Sequence, residues 1–428
     1  MKIEKNIEIN YFNKIFFQTE YIIFLQIYSN SMKWFKNTTE AVLKTLYEIF
    51  NEKKQADKSI QKLIKTQKKW GSRDRKFVAK VLYDIVRWKR LYEYVTSSDI
   101  KTIEGKWNIL TAWSKQNDVP IPQWFKKTID FDKINFEQQL PFSIEQSIPE
   151  WLEKTGKKQM GKEKFEREIK ALNIEAPTVI RVNILKTDID KLQEKLSLQN
   201  IKSFSKEKYP HALFIEGKPK LTHLECYKKG WFEIQDASSQ EVAFFVNPKP
   251  GQTIIDACAG AGGKTLHLAC LMKNKGKIYA YDIYPSKIDE LNKRAKRNGI
   301  KNIVEAQVIT DEILEKNKKS ADILLLDVPC SSLGTLKRKP GLKWELNPNK
   351  LKKINTVQKN ILEKYSQMIK PGGQLIYVTC SILPEENEKN IKSFLEQNKN
   401  FIFVEDKYIF PSETGNDGFY MAKLKKIN

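Results

Sequence analysis

The chain has 428 residues, 40% hydrophobic and 30% charged, with 75 lysines and arginines against 52 aspartates and glutamates, a net charge of +23. That length allows two or three domains and a large buried core, and the cationic excess points to a polyanionic partner, most simply nucleic acid, although a uniformly lysine-rich proteome gives the same charge. Five cysteines without a CxxC pair and three scattered histidines argue against a disulfide framework and a zinc site, leaving reduced, cytoplasmic thiols as the default.

No run of about 18 uninterrupted apolar residues is present, so no membrane span is expected. The most apolar stretch, Tyr11 to Tyr28, is broken by Asn13, Lys14, Gln18, Glu20 and Gln26, and its mixed-charge flanks do not suit a signal peptide. Met32 follows closely, so residues 1–32 read as a disordered or upstream extension.

Residues 33–150 read as a helical domain with a linker. Ala41, Val42, Leu46, Ile49 and Phe50 share one face, and a second helix spans Ala56 to Ile64. Ser72 and Asp74 open a third, whose apolar stripe is Phe77, Val78, Val81, Leu82, Ile85 and Val86. Its other face carries Arg73, Arg75, Lys76, Lys80, Arg87, Lys89 and Arg90. Beside Trp88 and Tyr92 this face suits either solvent or an RNA backbone. Pro120, Pro122, Pro141 and Pro149 then break residues 119–150 into short irregular pieces.

Residues 151–239 read as a small α+β module. A helix begins at Trp151-Leu152, a strand runs from Val179 through Arg181-Val182-Asn183 to Leu185, and Thr187 or Asp188 caps a helix through Ile189, Leu192 and Leu196. Ala212 to Ile215 is a further strand. Such a module is either an RNA-reading platform or interdomain filler.

From residue 240 to 428 strands and helices alternate, which implies a doubly wound parallel sheet. The first strand, Thr253-Ile254-Ile255, leads into Asp256-Ala257-Cys258-Ala259-Gly260-Ala261-Gly262-Gly263-Lys264-Thr265 and then a helix. Strand, glycine turn and helix N-terminus make a nucleotide-binding crevice. The ending Gly263-Lys264-Thr265 imitates a Walker phosphate loop. That motif needs a glycine where Cys258 stands, and the NTPase reading fails on spacing.

Asp282 ends the next strand, where a carboxylate accepts both hydroxyls of a ribose or simply caps a helix. Asp327-Val328-Pro329-Cys330 and Thr379-Cys380-Ser381 end two later strands. Two thiols are therefore delivered to the ligand-binding edge of one sheet, as nucleophiles or as a redox couple. Cys270, inside a helix, reads as a small buried hydrophobe. The tail, from Phe401 to Val404 and from Gly418 to Ala422, reads as strands closing one edge.

In order and spacing, DACAGAGGKT, YDIYPSK, LLLDVPCSSLGT and TCSILPEENE resemble the RsmB/Sun-type RNA cytosine-C5 methyltransferases, as do RVN, WFEIQDASSQ and DGFYMAKLKK. The resemblance is strong over residues 145–428 and loose over 33–118. It implies a Rossmann-like catalytic domain and S-adenosylmethionine as cofactor, held by Cys258, Ala259, Gly260, Ala261, Gly262, Gly263 and Lys264, with Asp282 on the ribose and Asp311 nearest the adenine. It gives nucleophilic attack to Cys380, product release to Cys330 and support of the base to Asp327, whereas the sequence alone permits either thiol to attack. It implies an RNA substrate, ribosomal before transfer RNA, for a monomeric enzyme. Lys337-Arg338-Lys339 and Lys343-Trp344 are expected to grip the substrate strand. A catalytically idle RNA-binding assembly factor and a dithiol redox enzyme are the rivals. Two positions depart from the family pattern: Ala261 where proline is frequent, and Gly341 where aspartate is frequent.

Overall fold

The computed structural model describes residues 33–427 apart from 127–128 and 301–302. The extension expected over residues 1–32 lies outside the described residues. The described residues divide into two compact units, one ending at Pro149 and the other beginning at Glu150.

The first unit is helical: α1 (Lys36–Phe50), α2 (Ala56–Thr66), α3 (Ser72–Val95) and α4 (Ile103–Gln116). Val42, Leu46 and Ile49 of α1 are buried, as are Val78, Val81, Leu82 and Ile85 of α3 and Ile109 and Trp113 of α4, so the expected stripes form the core. Trp34 contributes edge-on ring contacts to Phe77 and Trp113, and its indole N–H donates to Ser114 Oγ at 2.9 Å. Residues 119–149 are largely irregular, with one short helix at Phe142–Glu145.

The cationic face of α3 is mostly spoken for. Lys80 pairs with Asp84 at 2.8 Å and Lys89 with Glu93 at 2.6 Å, both one turn apart. Arg75 donates to Gln67 O, Arg90 donates to Ile148 O, and Arg87 is buried. Arg73 and Lys76 are the fully exposed members. Helical spacing does not reveal which of the seven cations have carboxylates or carbonyls within reach.

The second unit begins with α5 (Glu150–Met160) and α6 (Lys162–Asn173), followed by an antiparallel sheet ordered β2-β3-β1-β4. Its strands are β1 (Thr178–Val182), β2 (Ser203–Ser205), β3 (Ala212–Ile215) and β4 (Phe232–Ile234). Strand β1 stops at Val182, and Leu185 lies in a turn rather than in the strand. Asp188 caps α7 (Ile189–Ser197) by accepting Lys191 N–H, and Leu192 and Leu196 of α7 cover one sheet face with Ile180, Leu213 and Phe232. The opposite face, Val179, Ala212 and Phe214, packs on Ala237 at the start of α8 (Ala237–Val246).

A seven-stranded sheet follows, ordered β10-β11-β9-β8-β5-β6-β7. Strands β5 (Thr253–Asp256), β6 (Lys277–Asp282), β7 (Val304–Val308), β8 (Ala321–Asp327) and β9 (Ile369–Thr379) are parallel. The tail strands β10 (Phe401–Ile409) and β11 (Phe419–Lys426) are antiparallel and close one edge, as the sequence leads one to expect. The linking helices are α9 (Gly263–Leu271), α10 (Pro285–Asn298), α11 (Asp311–Lys316), α12 (Pro348–Tyr365) and α13 (Glu388–Gln397). Ile254, Ile323 and Val378 face one core layer, and Ile255, Leu324 and Tyr377 face the other, as alternation along doubly covered strands requires. The chain steps outward from β5 to β7 and then crosses back to β8. The order therefore reverses between β5 and β8, and the crevice outside their C-terminal ends is the ligand position of such sheets.

Candidate active site

Strand β5 delivers Asp256 to that crevice. The carboxylate is buried and accepts Thr265 Oγ1 at 2.7 Å through one oxygen, while the other has no partner. Burial pushes its carboxyl up to about 7. The turn that follows needs glycine twice: Gly260 and Gly262 have φ of 54° and 82°. Around Gly260 no atom lies within 4 Å of where a Cβ would stand, so the backbone there faces open space.

Asp282, at the end of β6, holds this turn from the side. Its Oδ2 accepts Gly260 N–H at 2.8 Å and its Oδ1 accepts Tyr284 N–H at 2.9 Å. Two arginines brace the turn from behind. Arg181 of the RVN motif donates to Gly263 O at 2.5 Å, and Arg294 of α10 donates to Ala261 O at 2.6 Å. Arg294 is in turn gripped by Glu233 at 2.9 Å, which also pairs with Arg297 at 2.5 Å. Burial lowers the Arg181 guanidinium from its ordinary value, and its Nε has no partner. The motifs upstream of the catalytic domain thus have a physical task, since they build the outer wall of the glycine turn.

The two strand-end cysteines meet. Cys330 Sγ and Cys380 Sγ are 3.3 Å apart, both free, and Cys380 N–H points at Cys330 Sγ at 3.4 Å. Ser332 Oγ lies 3.3 Å from Cys380 Sγ and 3.9 Å from Cys330 Sγ. The environment separates the thiols. The hydrogen bond with Cys330 holds the Cys380 thiol below its ordinary value against the effect of burial, with Ser332 and the Lys264 charge acting in the same direction. That same hydrogen bond, followed by burial and the negative charges of Cys380 and Glu386, pushes Cys330 well up. As a coupled pair they carry one favoured thiolate, and it sits on Cys380. Cys258, by contrast, is pushed well up by burial and by three surrounding aspartates.

Lys264, on the first turn of α9, reaches Asp327 Oδ2 at 2.6 Å and so joins the glycine turn to the cysteine pair. Glu386, fully buried, fixes the loops that carry both thiols. It accepts Ser331 N–H at 2.7 Å and the hydroxyls of Ser331 and Ser381 at 2.5 Å, with Gln358 Nε2 at 3.0 Å. Gly334 is confined between Gly418 and Cys380; an added Cβ would meet Gly418 O at 2.3 Å.

Lys264, Asp327, Cys330 and Cys380 therefore come together, and Asp282 meets the glycine turn. Asp311 does not join them directly. It is exposed on α11, pairs with Lys364 at 2.5 Å and lines a separate cleft of about 330 Å³. Tyr365, the next residue along α12, packs against the core layer of Leu324 and Tyr377, and burial, followed by the charges of Cys258, Asp282 and Asp311, raises its phenol to about 12. Sequence reasoning placed Tyr365 only on an apolar stripe and did not single out Ser332 or Glu386. SSLGT and LPEEN contain both, but only the fold brings them to the thiols.

The basic run after Cys330 requires a correction. Lys337 is buried and donates to Ala171 O at 3.1 Å, and Lys343 is buried and donates to Asn173 Oδ1 at 2.6 Å. Arg338 bridges Asp236 at 2.6 Å and Asp417 at 2.8 Å. These cations clamp α6 and the tail to the catalytic loop, and Lys339 is the exposed member of the run. A buried lysine is too costly to leave without partners, and here backbone and amide oxygens supply them.

Residues 243–425 match the family model for the 16S rRNA methyltransferase RsmB/F, and residues 148–222 match the ferredoxin-like domain of RsmF/B-like methyltransferases. A probable ribosomal RNA small subunit methyltransferase B of Synechocystis is 32% identical over 319 residues, covering 70% of either chain. The chain belongs to the RsmB/F methyltransferase family. The corresponding Bacillus subtilis protein is 31% identical over 306 residues, covering 66% of this chain and 67% of its own. Among solved structures, PH0851 superposes with a TM-score of 0.78 at 26% identity, covering 92% of this chain and all of that one. A methyltransferase homolog protein from Pyrococcus horikoshii gives 0.55 at 27% identity, covering 64% and 94%.

The cofactor of an RsmB/F methyltransferase is S-adenosylmethionine, and the glycine turn fits it. The backbone at Gly260 faces open space, Asp282 stands beside it, and the cysteine pair lies just across the Lys264–Asp327 bridge. Among the described residues no helix is long and apolar enough to cross a membrane, and no cluster of side chains suits a metal ion.

Proposed function

We propose that the protein is an RNA (cytosine-5) methyltransferase acting on small-subunit ribosomal RNA. The observation that carries this reading is the asymmetric thiol pair: Cys380 favoured as thiolate, Cys330 held as thiol 3.3 Å away, both beside Asp327. C5 of cytosine lies in an aromatic ring and is a weak nucleophile. The Cys380 thiolate adds to C6, breaks the aromaticity and makes C5 enamine-like. As the thiolate adds, N3 takes a proton from the Asp327 carboxyl, which neutralises the charge pushed onto the ring, and Lys264 keeps that carboxyl oriented and stabilises the carboxylate left behind. Cys258–Lys264 and Asp282 would hold S-adenosylmethionine, which would supply an activated methyl group to C5 and leave as S-adenosylhomocysteine. Cys330 then assists release: with Cys380 bonded to C6, the neighbouring charge that keeps Cys330 protonated is gone, so Cys330 gives its proton to solvent and takes the proton from C5. N3 returns its proton to Asp327, the bond from Cys380 to C6 breaks by elimination, and aromaticity returns with Cys380 again a thiolate. The target base must be unstacked to reach this pair, at a cost of a few kcal/mol unless already looped out.

The test is methylation of small-subunit rRNA from cells lacking the gene, using purified protein and labelled cofactor, followed by nucleoside analysis. Label in 5-methylcytidine supports the reading, and label in another nucleoside or in transfer RNA alone overturns it.

A further inference from the structure

A second cleft, of about 620 Å³, opens beside the cysteine loops between α5, α12 and the first turn of α13. Four lysines line it: Lys154 and Lys158, one turn apart on α5, Lys359 on α12 and Lys389 on α13. All four are exposed, and among the described residues none has an ion pair or hydrogen bond. Neighbouring cations are treated differently: Lys157 is held by both Glu153 and Glu166. The carboxylate of the cleft wall, Glu385, is already engaged by Gln159, which donates to it at 2.8 Å and accepts its N–H at 3.1 Å. Against the one carboxylate of Glu385, the four ammonium groups leave the concave site with an excess of positive charge, and a polyanion relieves the repulsion among them.

The floor connects to the reaction. Asn355 donates to Glu385 O at 2.7 Å, and Asn390 donates to Gln358 Oε1 at 2.9 Å. Gln358 in turn donates to Pro329 O and to Glu386 Oε1, both at 3.0 Å. Pro329 precedes Cys330, and Glu386 holds the serines that follow each cysteine. A chain lying in the cleft is thus one hydrogen-bonded layer from the thiols.

We propose that this cleft takes the phosphodiester backbone of single-stranded substrate RNA next to the target nucleotide. The inference rests on the reading of the chain as an RNA methyltransferase. Lysine ammonium groups are point charges without the planar fork that reads bases, so the contact positions the strand and carries no sequence information. Holding the flanking phosphates here keeps the backbone fixed while the base is turned toward Cys380.

The test compares three full-length proteins for binding to, and methylation of, small-subunit ribosomal RNA. They are the wild type, the cleft variant Lys154→Ala/Lys158→Ala/Lys359→Ala/Lys389→Ala, and a control variant that removes four exposed lysines of the α9–β6 loop and of α10, Lys273→Ala/Lys275→Ala/Lys293→Ala/Lys296→Ala. Each single-strand phosphate contact contributes about 0.7 to the slope of log affinity against log salt, so the cleft variant should lose roughly 2–3 from that slope. Its affinity should fall at least about tenfold at about 100 mM salt, while the control stays near wild type. KM for RNA should rise with kcat and cofactor affinity retained, and arginine at the four cleft positions should restore binding. Equal losses in the cleft and control variants, or none in either, overturn the inference. If wild-type protein methylates no RNA, the function proposed above falls and this inference with it. If wild-type protein methylates RNA and the cleft variant behaves as the control does, the inference alone falls.

Discussion

Replacing Ser332 with alanine isolates one of the two hydrogen bonds that stabilise the Cys380 thiolate. The hydroxyl lies 3.3 Å from Cys380 Sγ, and Ser332 has φ 57°, a left-handed conformation in which serine and alanine are comparably strained. The substitution therefore changes the sulfur's environment more than the backbone. A hydrogen bond to a charged group contributes about 1.5–3 kcal/mol, and sulfur's diffuse charge puts this one at the low end. About 1.4 kcal/mol is tenfold in a protonation equilibrium, so the thiolate fraction should fall about tenfold at pH below the thiol's titration. The Cys380 thiol donates to Ser332 Oγ, and once the sulfur ionises the hydroxyl turns to donate to it; the environment lowers the Cys380 thiol, and removing that hydroxyl raises it again. Single-turnover methyl transfer measured across neutral and alkaline pH should show the rising limb moved to higher pH, a loss of about tenfold at the acid end, and rates converging with wild type at the alkaline end. A uniform loss at all pH values, or a profile superimposable on wild type, would refute the role of Ser332.

Asp282→Ala should weaken S-adenosylmethionine binding by roughly 1.5–3 kcal/mol in calorimetry, since both the ribose and the Gly260 N–H lose a charged acceptor. Glu386→Gln places an amide donor among groups that already donate, leaving at least one buried donor unpaired at about 1–3 kcal/mol; melting temperature and kcat should both drop. Arg338→Ala strands Asp236 and Asp417 without their shared cation and should destabilise the fold by about 3 kcal/mol near neutral pH, read by denaturant unfolding. Burial raises the Asp417 carboxyl to about 7, above its unfolded value, so the folded state binds the extra proton and stability at this site declines as pH climbs toward 7. The Arg338→Ala defect should accordingly shrink on mild acidification, and a defect that grows would contradict the assignment.

The catalytic sheet and much of the site were legible in the sequence because strand ends and turns are local features. The run DACAGAGGKT had to be a turn between strand and helix, and residues at the ends of parallel strands share one edge whatever packs around them. Cys330 and Cys380 could therefore be paired before their distance was known. Cationic residues were less legible. Lys337, Lys343 and Arg338 resemble a nucleic-acid grip in one dimension, yet they are sunk among Ala171, Asn173, Asp236 and Asp417, which lie 74 or more residues away in sequence. On α3 likewise, Arg75, Lys80, Arg87, Lys89 and Arg90 are paired, hydrogen-bonded or buried, which their helical spacing does not show. Nothing in PEEN distinguishes Glu386 from its neighbours, and only the fold shows it buried beneath both thiol loops. What a charged side chain does depends on partners that helical or strand periodicity does not encode.

The most direct measurement of the central claim is denaturing electrophoresis of protein incubated with small-subunit ribosomal RNA and S-adenosylmethionine. Cys330→Ala leaves attack and transfer possible but impairs elimination, so the methylated base should remain bonded to Cys380 and a protein–RNA species should survive denaturation. Cys380→Ala removes the nucleophile, so neither adduct nor methyl transfer should be seen. An adduct that accumulates with Cys380→Ala and vanishes with Cys330→Ala would reverse the roles, and methylation unchanged by either substitution would contradict the two-thiol mechanism itself.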